Sequence, residues 1–560
     1  MSNTKTPPSA SVQQVFWTHA RQLEKLPPCQ AQCPNSGDIR GWLGIIAQHE
    51  KNGLTSEQAY DRAWEKLTEL NPLPATLGRI CPHPCEDLCS RRDKDGAVSI
   101  NAMERYIGDW GITRSLKFSV PVESEKPESI GVIGSGPASL SFTYQMARRG
   151  YRVSLYERHA VAGGMLRQAI PDFRLPREVL DAEIQRLFEL PVTLHKNTEV
   201  GLDISLNELR DRHALIFLGL GAQGAHKLGI PGEEAPGVVS GIAYLRRRKR
   251  RVALTIGRRV VVIGGGNTAI DAARCARREG AEVTVLYRRS AREMPAAVHE
   301  VDDARAEGVR FEFLVSPTQV LRKGPEIQWI EVQEMRLGEP DEQGRRRPDP
   351  IPGQMRLLRV DTVIVAVSQA PDWAGLNLGQ GDDQWLMTEE DGKLAENLWA
   401  GGDDRGPAIA GKAIAQGRLA AEAAHAELRG TRRPVDRQER RTLNAGEVKA
   451  DFYQDQEREC SARRPQEEWL DSAEPEIDQT IGHEQAQREA VRCMSCGLCF
   501  DCKACFMYCN GGGFTRLEES RPGHYFALSL DACEGCGKCI EVCPCGYLEV
   551  RESSTNGNDR

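Results

Sequence analysis

Twice in the middle of the chain a short run of β-branched and aliphatic residues gives way to glycines and then to a stretch with helical character. The first switch, S-I-G-V-I-G-S-G-P-A-S-L from Ser129, predicts a buried strand that runs into Gly134, Gly136 and Ser139 before a helix ending near Gly150. The segment Y-R-V-S-L-Y-E then supplies a second strand that closes on Glu157. The second switch opens at Arg259 with V-V-V-I-G-G-G-N-T-A-I-D-A and puts Gly264, Gly266 and Ala269 in the same places. Its second strand, E-V-T-V-L-Y-R-R-S, closes on Arg288 and Arg289. Further on, D-T-V-I-V-A-V predicts a strand ending near Val367. The segment N-L-W-A then predicts another, closing on Gly401, Gly402 and Asp403 ahead of an Ala-rich helix. Residues 431–492 behave differently: they are rich in Arg, Glu, Asp and Gln with little apolar periodicity until H-E-Q-A-Q-R-E-A-V-R, which reads as a helix. This stretch is expected to be a linker long enough to let the C-terminal domain reach across the molecule, and the tail after Val550 is expected to be disordered.

The glycines at the two switches carry chemistry. The first of each set permits a tight turn, and the second lets backbone approach a pyrophosphate seated on the helix N-terminus, where free amides and the helix dipole favour anions. Ser139 and Ala269 occupy the third place, which needs only a small residue. The two units part at the ends of their second strands. A carboxylate at Glu157 accepts from both hydroxyls of an adenosine ribose, whereas a guanidinium at Arg288 or Arg289 pairs with a 2′-phosphate. The first unit is therefore expected to hold FAD through Gly134, Gly136, Pro137, Ala138 and Glu157. The second is expected to hold NADPH (or NADH) through Gly264, Gly266, Asn267, Thr268, Arg288 and Arg289. Asp403, beside Gly402 and ahead of a helix, is placed to hold a flavin ribityl or phosphate group.

Cysteine usage changes the picture. The chain has 18 cysteines, gathered near its two ends, with only Cys275 and Cys460 in the long middle. That distribution favours metal ligation in a reducing compartment over disulfides. Near the C-terminus the phrase C-x-x-C-x-x-C-x-x-x-C is written twice, as Cys499, Cys502, Cys505, Cys509 and as Cys533, Cys536, Cys539, Cys543. In two-cluster ferredoxins the fourth cysteine of each run ligates the other run's [4Fe-4S] cluster. Zinc is the alternative, but it takes four ligands in two pairs and not two interlocked sets of four. Cys545 is expected beside a cluster, tuning its potential. Cys29, Cys33, Cys81, Cys85 and Cys89 form the N-terminal group.

The 560 residues suffice for three or four domains, and a net charge of -7 carries no basic footprint for nucleic acid. No stretch approaches the ~18 apolar residues of a membrane span, and the first twenty residues lack the apolar core of a leader, so a cytoplasmic protein is expected. The run Arg246 to Arg251 steers an acidic partner or a phosphorylated cofactor, or is a solvated helix face.

In combination, these pieces resemble the small (β) subunit of bacterial glutamate synthase and its relatives, which include the N-terminal part of dihydropyrimidine dehydrogenase. The matching pieces are G-R-I-C-P-H-P-C-E-D-L-C (78–89), G-S-G-P-A-S-L (134–140), G-G-M-L-R-Q-A-I-P-D-F-R-L-P (163–176), L-G-I-P-G-E (228–233), G-G-G-N-T-A-I-D (264–271), Y-R-R-S-A-R-E-M-P-A (287–296) and A-G-G-D-D-R-G (400–406). The resemblance implies FAD and NAD(P)H binding, with Gly163, Gly164 and Asp403 on the FAD and Arg174 among the cofactor residues. It implies no catalytic side chain: the flavin takes hydride and splits the electron pair for iron–sulfur centres.

The chain departs from the family in one place. The family's N-terminal R-C-M-x-C-G is missing before Cys29, yet R-C-M-S-C-G stands at 492–497. The C-terminal segment is therefore expected to fold back, in its own chain or in a dimer partner, and to complete the N-terminal site with Cys493 and Cys496. The resemblance also makes Glu104 a ligand, giving eight ligands for two clusters and four clusters in all. The alternative is a single N-terminal cluster and three in all.

The expected architecture is α/β with two Rossmann-like domains. It comprises an N-terminal helical [4Fe-4S] domain (1–125), an FAD domain in two parts (126–237 and 355–430) around an inserted NAD(P)H domain (238–354), the linker (431–492) and a ferredoxin-like α+β domain (493–552). The expected function is electron exchange between NAD(P)H, FAD and clusters and a redox partner: ferredoxin, a 2-oxoacid:ferredoxin oxidoreductase or a sulfite reductase type enzyme. Alternatives are the reductive subunit of a glutamate synthase and a non-catalytic electron-transfer scaffold.

Overall fold

The computed structural model describes residues 19–550 except 119–123, 253–254, 342–343, 374, 377, 379–383, 432–439 and 471–474. The tail after Val550 lies outside the described residues.

The FAD-type sheet has six strands in the order Lys393–Ala395, Leu398–Ala400, Leu215–Leu218, Ser129–Ile133, Arg152–Glu157 and Val192–Lys196. All pairs are parallel except the first. Its central strands are buried on both faces, which is why they read as continuous apolar runs. Helices Pro137–Ala147 and Ala410–Arg429 pack closely side by side: a Cβ at Gly417 would stand 2.0 Å from the Ala138 carbonyl oxygen.

The inserted domain has a five-stranded parallel sheet in the order Arg310–Phe313, Glu282–Tyr287, Arg259–Ile263, Thr362–Val365 and Val238–Ser240. A three-stranded antiparallel sheet, Val315–Lys323, Glu326–Pro340 and Arg346–Arg359, follows its last β–α unit. The junction expected at 354/355 therefore falls too early. It lies inside Arg346–Arg359, and Thr362–Val365 still pairs with Arg259–Ile263 of the inserted domain. The chain crosses between the domains on two short paired strands, Gly224–Ala225 and Gln369–Ala370.

Helices Ile39–Ala47, Ser56–Thr68, Pro74–Ile80 and Ile100–Thr113 build the N-terminal domain around Trp42, Tyr60 and Trp64, in one core continuous with the FAD domain. The stretch expected as a linker is a packed strap. Trp469 and Ile477 plug the core of the inserted domain, and Ile481, Ala486 and Ala490 enter the N-terminal core. Arg463 pairs with Asp303 at 2.7 Å, and Glu476 pairs with Arg79 at 2.8 Å and Arg105 at 3.2 Å. Single side chains inserted into the cores of other domains leave no periodicity along the strap itself.

The two ends of the described chain meet. Strand Ala20–Gln22 pairs antiparallel with Leu548–Val550, and the buried Lys25 donates to the Gly546 carbonyl (2.6 Å) and pairs with Glu549 (3.1 Å). The ferredoxin-like part adds the hairpin Phe514–Arg521 and His524–Leu528 and helices Ala504–Met507 and Lys538–Val542. Among the described residues no helix is long and apolar enough to cross a membrane.

Candidate dinucleotide crevice and cysteine sites

The first glycine turn lines a crevice between the two sheets, and Asn267 and Thr268, which follow the second turn, face it from the other side. Gly134 has φ +85°, and a Cβ there would lie 2.3 Å from the Gly219 carbonyl oxygen; Gly264 has φ +140°, with Ala366 O at 2.2 Å. Only glycine fits such turns. Gly136 and Gly266 instead cap helices Pro137–Ala147 and Asn267–Arg278, and a Cβ at either meets nothing within 4 Å. A side chain would fill that space, so the turns suit a pyrophosphate at the helix N-terminus.

Pro137, Ala138, Glu157, Gly164, Gly402 and Asp403 line the crevice on the FAD side, and Asn267 and Thr268 on the other. Glu157 is buried, and its carboxylate accepts from Ser135 N (3.1 Å), Ser135 Oγ and His159 N (2.8 Å). Gly163 donates its N–H to Ser135 O at 3.1 Å, which ties the second glycine loop to the first. Asp403 accepts from Ala408 N at 3.1 Å, and burial pushes its carboxyl up. Its neighbour Asp404, overlooked in the sequence, is fully buried and accepts from Leu220 N (3.2 Å) and Gly221 N. Burial pushes it up to about 7. The only signal for it was the second aspartate of A-G-G-D-D-R.

Two expected cofactor residues have other occupations. Arg174 lines the crevice, but its guanidinium pairs with Asp271 (2.8 Å) and Glu300 (2.6 Å) of the inserted domain, so it ties the two domains together. Arg289 is buried, donates to Arg346 O at 2.8 Å and pairs with Asp341 at 3.4 Å. Arg288 is exposed. Of the arginine pair, Arg288 is the one with its charge on the surface.

The run Arg246 to Arg251 is split as well. Arg247, Arg250 and Arg251 are exposed, Lys249 is buried against Asp172, and Arg246 reaches Gln223 of the FAD domain.

The cysteines gather into four sets. Cys33, Cys81, Cys85 and Glu104 act on one another electrostatically, and Ile80 and Pro82, flanking Cys81, line the dinucleotide crevice. Burial pushes the Cys81 thiol up to about 12 and Glu104, which accepts from Asn71 at 2.8 Å, to about 7. A second set joins the chain's ends: Cys29 and Cys89 share a cavity with Cys493 and Cys496. Burial first, then Cys89, Cys496 and Cys493, raises Cys29. The fold-back contact lies within one chain, and Arg40 seals it by donating to the carbonyls of Lys25 (2.9 Å) and Cys496 (2.6 Å).

The third set, Cys499, Cys502, Cys505 and Cys543, lines one cavity with Cys545. The fourth, Cys509, Cys533, Cys536 and Cys539, lines another. The fourth cysteine of each run thus sits with the other run's set. Cys536 is exposed, and the Cys545 Sγ stands 3.9 Å from that of Cys543. Tyr453 lies between the second and third sets, among Cys496, Cys493, Cys502 and Cys545. Cys275 is buried in the inserted domain's core and Cys460 is exposed, both apart from the four sets.

Among the described residues no three His, Cys, Asp or Glu side chains converge as ligands of a single metal ion do. A four-iron cluster asks for something different, because each thiolate binds its own iron and the sulfurs stand apart around a cavity. Cysteine sulfurs gathered around such cavities suit that group.

Fold and crevice define an oxidoreductase that carries two dinucleotides beside iron–sulfur domains. The chain belongs to the pyridine nucleotide-disulphide oxidoreductase family, whose profile matches residues 128–417. Residues 19–116 match the dihydropyrimidine dehydrogenase domain II, 4Fe-4S cluster, and residues 498–547 the 4Fe-4S dicluster domain. The first match implies FAD and NAD(P)H and the other two imply [4Fe-4S] clusters, the cofactors expected from the motifs.

Three relatives place the chain further. It is 39% identical over 367 residues to the NADPH-Fe(3+) oxidoreductase subunit beta of Geobacter sulfurreducens, covering 64% of this chain and 53% of that protein. It is 36% identical over 446 residues to the NADP(+)-dependent formate dehydrogenase subunit beta of Moorella thermoacetica, covering 73% and 61%. It is 32% identical over 421 residues to the glutamate synthase [NADPH] small chain of Escherichia coli K12, covering 71% and 87%. The match spans little more than half of the first of these proteins.

Proposed function

We propose that the chain exchanges electrons between NAD(P)H and a separate redox protein, with the four cysteine sets as ligands of four [4Fe-4S] clusters. The observation that carries this reading is their order: from Cys81, whose neighbours Ile80 and Pro82 line the crevice, through the set shared by the chain's ends, to the exposed Cys536. Bound FAD supplies hydride acceptance and single-electron release, and bound clusters supply one-electron storage. Gly136 and Gly266 leave room for the two pyrophosphates, Glu157 is held ready for a ribose, and Arg288 offers its charge to a 2′-phosphate. Glu104 stands in for a cysteine in the first set.

Relatives named as subunits of larger oxidoreductases support a protein partner. A ferredoxin or a ferredoxin-dependent enzyme, such as a 2-oxoacid:ferredoxin oxidoreductase or a sulfite reductase type enzyme, gives the exposed Cys536 end a task. The glutamate synthase reading gives it none. The cytoplasm, where thiols stay reduced, suits fifteen thiol ligands of this kind.

The test is anaerobic addition of NADPH, which is expected to bleach the flavin absorbance and then the broad iron–sulfur absorbance. A spectrum that stays unchanged leaves only the scaffold reading. Arg288→Ala is expected to raise KM for NADPH by about tenfold or more and leave NADH nearly untouched, since only the former carries the 2′-phosphate. Equal losses with both coenzymes refute the assignment.

A further inference from the structure

We infer that the inserted domain lends a cation to the FAD site: Arg246, together with Arg158 and the Gln223 that joins them, forms a patch that takes the pyrophosphate of FAD. Arg246 lies on helix Gly241–Lys249 of the inserted domain, yet its polar contacts are in the other domain. Its Nη2 donates to Gln223 Oε1 and lies 3.7 Å from Met165 Sδ, and both of those residues line the crevice. Arg158 donates from Nη2 to the same Gln223 oxygen at 3.2 Å, and Gln223 is fixed by its own bond to Leu220 O at 2.7 Å.

Two guanidiniums thus share one neutral acceptor. Among the described residues no carboxylate pairs with Arg246, and its Nε is a buried donor without a partner. Burial, then Arg158 and Arg250, pushes its pKa down to about 10. Among the described residues the one carboxylate paired with Arg158 is the half-exposed Glu199 at 3.5 Å. Beside them Arg250 meets His159 Nδ1 at 3.3 Å, and His159 Nε2 is buried and unpartnered. Half-buried like charges that share one half-exposed carboxylate are costly, and an anion between them relieves the cost.

The position selects the anion. Met165 follows Gly164, where a Cβ would stand 2.7 Å from the Gly136 Cα, so the loop that Arg246 touches is packed on the turn that receives the FAD pyrophosphate. The 2′-phosphate of NADPH belongs elsewhere, beyond strand Glu282–Tyr287 beside Arg288. A phosphate held from both domains also couples events: seating FAD helps to seat the inserted domain, and the reverse.

The experiment uses the holoprotein and follows free-flavin fluorescence on dilution, at low and high KCl, with NADP+ binding measured in parallel. Arg246→Ala is expected to raise the Kd for FAD about tenfold, or 1.4 kcal/mol, and to flatten its dependence on KCl. Arg246→Lys should recover most of the loss, the exposed Arg247→Ala should behave as the unmodified protein, and NADP+ binding should change little. If Arg246→Ala loses iron or helical circular dichroism, Arg246→Met, which keeps the aliphatic stem on Met165, gives the reading. A Kd for FAD within twofold of the unmodified protein overturns the inference, as does weakened NADP+ binding with FAD binding intact.

Discussion

The cysteines from Cys499 to Cys543 come from one continuous stretch, whereas the set Cys29, Cys89, Cys493 and Cys496 draws two thiols from each end of the chain. The first region is held by its own hairpin, Phe514–Arg521 with His524–Leu528, and by two short helices. The second exists only while the strap and helix His483–Val491 stay docked on the N-terminal domain. That docking depends on buried charge. Arg492 has no exposed side-chain surface; it pairs with Glu489 (2.7 Å) and Asp95 (3.1 Å) and donates to the carbonyls of Gly96, Ala97 and Gln456. A composite site can therefore be dismantled without touching a single thiol, and a local one cannot.

Three variants press on this contrast. Cys493→Ser with Cys496→Ser is expected to remove about four irons per chain and to leave the ferredoxin-region signals in electron paramagnetic resonance intact. Unchanged iron would show that the ends of the chain share no cluster. Arg492→Leu leaves Glu489 a buried charge without its partner, and is expected to cost about 3–5 kcal/mol in urea unfolding, with iron lost first from the composite site. Equal loss of iron from both regions would erase the distinction. The mildest change, Cys545→Ser, should keep all the iron and shift only the reduction potential of the cluster bound by Cys499, Cys502, Cys505 and Cys543, because Cys545 touches Cys543 without being needed as a ligand. Loss of iron would make it a ligand.

Legibility in the sequence divides along the same line. The glycine turns, the strand ends at Glu157 and Arg288, and the C-terminal repeat were readable because each works through neighbours close in sequence. The displaced R-C-M-S-C-G hinted at the composite site only by being out of place. What stayed hidden rests on contacts between distant residues. The guanidinium of Arg174 is spoken for by Asp271 and Glu300, and Arg289 is turned to Arg346 by an antiparallel sheet that its own strand does not announce. Thr362–Val365 reads as any parallel strand, and only its pairing with Arg259–Ile263 assigns it to the inserted domain. Trp469 looks like one aromatic in a charged stretch until it is seen inside another domain's core.

The contact between Arg40 and the Cys496 carbonyl joins residues 456 positions apart, and this has a bearing on biogenesis. At about 5–20 residues per second, a ribosome makes Cys29 and Cys89 roughly 20 to 90 s before their two companions emerge. During that interval the nascent chain carries a half-formed thiol pair that no scaffold protein can finish loading. This centre can be completed only after Cys493 and Cys496 have been made, so a translation product truncated before Cys493 would be born lacking it.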